Sequence, residues 1–109
     1  MVEIRHYVSR AGKDVFDDWL TQLADARAQA KIASRINRLA VGNFGDSKSL
    51  RHGLYELRID WGPGYRVYYA MLVRVWVLLL GGGDKRKQSR DIERALVYLK
   101  DYRERTRTT

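Results

Sequence analysis

Apolar and polar positions alternate at the start of the chain, with Val2, Ile4, His6 and Val8 on one side and Glu3, Arg5 and Tyr7 on the other. A period of two predicts a first strand with one buried side and makes His6 a core histidine. Ala11-Gly12 breaks the alternation. From Lys13 to Leu23 the period turns helical, with Val15, Phe16, Trp19, Leu20 and Leu23 on one stripe. A second helix begins at Asp25 as N-cap, buries Ile32, Ile36, Leu39 and Ala40, and stops at Gly42-Asn43. Its Arg27, Lys31, Arg35 and Arg38 fall on a separate stripe, predicted to be a solvated face. Residues 43–53 are rich in turn formers and read as a loop with room for a short edge strand.

Alternation returns at Leu54. Tyr55, Leu57, Ile59 and Trp61 face a core, and Glu56, Arg58 and Asp60 take the other side. In the next strand Tyr65, Val67, Tyr69 and Met71 are the core set, opposite Arg66 and Tyr68. Trp61-Gly62-Pro63-Gly64 between them reads as a hairpin turn. A turn centred on Gly62 places Arg58 directly across from Arg66. Like charges there destabilise a pair of strands, so this register points to an anion site. The register two residues along pairs Arg66 with Asp60 as an ordinary ion pair, and both remain open. A last strand, Arg74 to Leu80, leads into Gly81-Gly82-Gly83-Asp84-Lys85, where glycines allow a close approach or a sharp turn. Ser89 is the expected cap of a final helix with Ile92, Leu96, Leu99 and Tyr102 inside, and Arg103 to Thr109 reads as a frayed tail.

With 109 residues and 45% apolar content, the chain is expected to form one domain without disulfide support. There is no cysteine, and with only two histidines no His/Cys metal site can be assembled. The spacing of a phosphate-binding P-loop is missing, so no nucleotide cofactor is expected. The longest apolar run, Val75 to Leu80, falls far short of the roughly 18 residues that span a bilayer, which favours a cytoplasmic protein without membrane contact. Charge changes the picture more. The net charge is +8, and residues 48–109 hold 14 basic and 7 acidic side chains against 7 and 6 in residues 1–47. A polyanion is therefore the first partner to consider.

The predicted order β-α-α-β-β-β-α, the hairpin motif Y-x-L-R-I-D-x-G-P-G-Y-R-V-Y-Y and the following L-L-x-G-G-D-K resemble the RelE/ParE toxin superfamily. The likeness is nearest to its HigB-type, phage-related addiction-module killer branch. G-N-F-G-D at residues 42–46 and the later Gln88, Asp91 and Ile92 extend it over nearly the whole chain. The resemblance implies an α+β fold, a small antiparallel sheet flanked by helices. It also implies the toxin of a type II toxin-antitoxin pair, with a helix-turn-helix antitoxin as cognate partner and no cofactor.

RelE- and HigB-like members cleave messenger RNA on the ribosome. ParE-like members inhibit DNA gyrase on the same scaffold, and a degenerate phage-derived protein that only binds its antitoxin is a third reading. For an endoribonuclease, Arg58 and Arg66 match the basic residues that contact the scissile phosphate. Where such nucleases often carry a His or Tyr after the last strand, this chain has Asp84-Lys85-Arg86-Lys87-Gln88-Ser89. The candidates for proton transfer are then Glu56, Lys85, Tyr68 and Asp91. Lys48, Arg51, His52, Arg86, Lys87 and Arg90 are the expected contacts to RNA phosphates.

Overall fold

The computed structural model describes residues 2–72 and 76–107. The elements run β1 (Glu3–His6), α1 (Val15–Thr21), α2 (Ala26–Ala40), β2 (Ser47–Ser49), β3 (Leu54–Ile59), β4 (Tyr65–Met71) and β5 (Trp76–Asp84). A 3₁₀ turn, Lys85–Lys87, then leads into α3 (Gln88–Thr106). The class is α+β. The sheet has five strands in the order β1-β5-β4-β3-β2 and is mixed, because β1 lies parallel to β5 while the other pairs are antiparallel. This corrects the expected purely antiparallel sheet. A three-residue strand read from sequence as room in a loop is the real edge, β2.

Both faces of the sheet are covered. Phe16 of α1 and Ile32 and Leu39 of α2 pack on Leu57, Ile59, Val67, Tyr69, Val77 and Leu79. On the other face, Ala95 and Leu99 of α3 pack on Tyr7, Leu54, Tyr68, Ala70, Leu78 and Leu80. Each large side chain buried this way contributes about 1.5–3 kcal/mol. The face carrying Glu56 and Tyr68, read as the side away from the core, is therefore a second core for most of its length.

The expected cap Asp25 starts α2, whereas α1, expected from Lys13, starts at Val15 on a cap the sequence reading did not name. Asp14 caps α1 by accepting from the Asp17 N–H, and Asp25 caps α2 by accepting from Arg27 and Ala28. The third helix differs as well. Asp84 accepts from the Arg86 N–H and starts the 3₁₀ turn, and α3 follows at Gln88 with no side-chain cap from Ser89.

The predicted strand start at Arg74 lies outside the described residues, and the strand itself runs on through the glycines to Asp84. The expected frayed tail is helical through Thr106. Arg103 donates to the His52 carbonyl at 2.9 Å and Arg105 to the Val8 carbonyl at 2.6 Å, which ties this end down. His6 is exposed and bonded to Asp14 at 2.8 Å, whereas Tyr7 is the buried member of that segment. Tyr7 turns toward α3, where its hydroxyl donates to Asp101 at 2.5 Å. No described helix is long and apolar enough to cross a membrane.

Candidate functional site

The hairpin sets the site. Gly62 and Gly64 both have positive φ, 58° and 83°, which glycine adopts without strain, and Gly64 N–H bonds to the Trp61 carbonyl at 3.1 Å. The resulting register pairs Ile59 with Tyr65 and Arg58 with Arg66. The alternative pairing of Arg66 with Asp60 is excluded. Arg58 gives its N–H to the Asp46 carbonyl at 2.9 Å, and its own carbonyl accepts from Arg35 Nη1 at 3.0 Å. Both of its main-chain groups thus point to the β2 side. Arg58 and Arg66 are a non-hydrogen-bonded antiparallel pair, the close kind with Cα atoms about 4.5 Å apart.

Two guanidinium groups so placed need a counter-charge, and Glu56 supplies it. It is fully buried, with Oε1 3.3 Å from Arg58 Nε and Oε2 3.6 Å from Arg66 Nε. Gln88, at the start of α3, donates to Oε2 at 2.7 Å and closes the carboxylate over. Arg66 is further held by its Nη1 bond to the Gly64 carbonyl at 3.0 Å, and its Nε is buried without a hydrogen-bond partner. Arg58 remains 38% exposed at its side chain and Arg66 13%. Two cations share one buried anion and face an open depression of about 460 Å³. That depression is lined by Arg58, Arg66, Lys85, Asp46, Asp60 and the hairpin turn.

The structure sorts the remaining sequence candidates. Lys85 joins the arginines on the rim. Glu56 sits beneath them, sealed from solvent with both oxygens engaged, so it positions the arginines and cannot reach a ribose hydroxyl as the proton acceptor it was expected to be. Tyr68 and Asp91 are set apart from the depression and line a separate small cleft with Trp19, Gly81, Gly82 and Arg94. Burial, followed by the nearby carboxylates of Glu56 and Asp91, pushes the Tyr68 phenol far up. Burial likewise raises Asp91, against the pull of Arg90 and Arg94.

Arg86, Lys87 and Arg90 surround the start of α3 beside Lys85. Asp84 is held below the usual carboxylate range by the Arg86 side chain. Arg51 and His52 lie elsewhere, in a groove against α3, and Arg51 is ion-paired with Glu93. Lys48 projects from the edge strand, opposite Glu56 in register. Arg35, expected on a solvated face, instead packs onto the sheet and donates to the Arg58 carbonyl, and Asp46 was given no role in the sequence reading. A helical arginine that completes a sheet edge has no local signal, but the place of Asp46 follows once β2 is recognised. Among the described residues no group of three or more His, Asp or Glu side chains could hold a metal ion.

The molecule is thus an α+β protein whose most unusual feature is a pair of cross-strand arginines over a buried carboxylate. No family model matches the chain. It belongs to one family with an uncharacterized protein of Haemophilus influenzae, to which it is 56% identical over 80 residues, 73% of this chain and 81% of the relative.

Proposed function

We propose that this protein is a RelE/ParE-type toxin of the HigB-like branch and acts as a ribosome-dependent mRNA endoribonuclease. The observation that carries the reading is the Arg58–Arg66 pair, directly opposed, fixed from below by Glu56 and open to solvent beside Lys85. Attack of a ribose 2′-hydroxyl on the neighbouring phosphodiester concentrates negative charge on the phosphoryl oxygens. Rigid guanidinium forks at that point lower the barrier as fixed oxyanion donors do. Lys85, Arg86, Lys87 and Arg90 extend the positive surface from the depression along the start of α3, a path for an RNA backbone. A helix-turn-helix antitoxin that neutralises the toxin belongs to the same reading.

The test is a reconstituted translation system with a defined message whose 5′ ends are mapped. Wild-type protein should create new ends inside translated codons only when ribosomes are present, and Arg58→Ala should lower the cleavage rate about 100-fold. Intact message with undisturbed translation would contradict the reading. Intact message with blocked supercoiling by gyrase would replace it with the gyrase reading, and neither effect would leave an antitoxin-binding remnant.

A further inference from the structure

A phosphate cradle alone does not take the proton from the attacking hydroxyl, and Glu56 is sealed away from that task. One carboxylate that the sequence did not single out faces the depression. The β2–β3 register pairs Ser47 with Leu57, and next to that pair the Arg58 N–H bonds to the Asp46 carbonyl. Asp46, in a bend just before β2, is held against Arg58 by that one bond and lines the same depression as the two arginines. On the other side of Arg58, Arg66 pairs with Gly83 of β5, and Lys85 follows two residues later.

A phosphate over the two arginines has a carboxylate on one flank and an ammonium on the other. Asp46 is exposed and belongs to no ion pair among the described residues, which leaves it available as an acceptor. Asp60 lines the same depression but lies along the Arg58 strand, past its end, and not across from it.

We propose that Asp46 is the general base of the cleavage and Lys85 its general acid, an assignment that rests on the nuclease reading above. The Asp46 carboxylate takes the 2′-hydroxyl proton as the 2′-oxygen bonds to phosphorus. The bond from phosphorus to the 5′-oxygen breaks, and that oxygen takes a proton from the Lys85 ammonium. The products are a 2′,3′-cyclic phosphate and a 5′-hydroxyl, and exchange with water restores both side chains. Placing acceptor and donor on opposite flanks suits the in-line geometry that displacement at phosphorus requires.

Single-turnover cleavage of a message on programmed ribosomes tests this with full-length protein. Asp46→Asn should lower the rate about 10²- to 10⁴-fold, the range of a positioned proton acceptor, with KM within about threefold of wild type. Asp46→Glu should recover part of the lost rate. A message with sulfur in place of the 5′-oxygen at the cut needs no acid, because a thiolate departs unprotonated. It should rescue Lys85→Ala and fail to rescue Asp46→Asn.

A wild-type rate in Asp46→Asn, a loss confined to KM, or the loss appearing in Asp60→Asn instead would overturn the assignment while leaving the nuclease standing. A wild-type protein that never cuts the message would overturn both.

Discussion

Glu56 has no solvent exposure, yet from within β3 it faces two arginines and the glutamine that starts α3. Removing its charge leaves two guanidinium groups crowded without a partner. Glu56→Gln should therefore destabilise the fold by about 3 kcal/mol, the low end for breaking a buried pair because Arg58 is partly solvated. Urea unfolding with an unchanged m-value measures it. Arg66→Lys should fail to restore cleavage, since an ammonium cannot hold the Gly64 carbonyl and a phosphate with the same planar fork. Alternation in the two strands and the glycine-bounded turn narrowed the sequence to two registers, and the opposed arginines were one of them. The carboxylate beneath them was not legible in its role, because nothing local says that α3 will close over that face.

At the level of elements, β5 shows most clearly why a sequence reads one way and folds another. A run of three glycines signals a loop, but here Gly82 and Gly83 stay in the strand because side chains from two helices occupy the space a Cβ would need. Trp19 of α1 lies against Gly82, and the Asp91 carboxylate lies against Gly83. Gly82→Ala should lower stability by about 2 kcal/mol through overpacking, a shift that thermal unfolding resolves. The close approach was foreseen, but its partners depend on how the helices dock. The first strand teaches the converse. Its alternation was real, but Tyr7, on the side read as polar, is buried under α3, while His6 stays exposed on the other side beside Phe16.

For the molecule as a whole, the parallel β1–β5 pairing and the packing of α3 join chain segments far apart in sequence, and periodicity carries no information about either. Asp101 marks that long-range closure, accepting from Tyr7 at 2.5 Å, Arg10 at 2.7 Å and Arg105 at 2.8 Å. The Tyr7 hydroxyl, then Arg10, hold its carboxyl below 3.8, the value of an unperturbed aspartate. The stability it contributes is thus fully present above that value and is lost as pH falls through the lower folded one. Asp101→Asn should flatten the fall of stability below pH 4 in acid titrations followed by circular dichroism.

The excess positive charge has its own signature at this scale. With Arg58, Arg66 and Lys85 on phosphates, the affinity for single-stranded RNA should fall with salt at a log–log slope of about −2, at about 0.7 per contact. Each further contact steepens it.

The proposed function requires Arg58 and Arg66 to act together on one phosphate. Nitrogen-15 NMR of the arginine side chains during titration with a 2′-O-methyl oligonucleotide, which binds without being cut, measures that directly. The Nε–H signals of Arg58 and Arg66 should move together along one binding curve, and Arg58→Ala should abolish the shift at Arg66. Signals that stay fixed while other arginines respond, or that move with unrelated affinities, would contradict it.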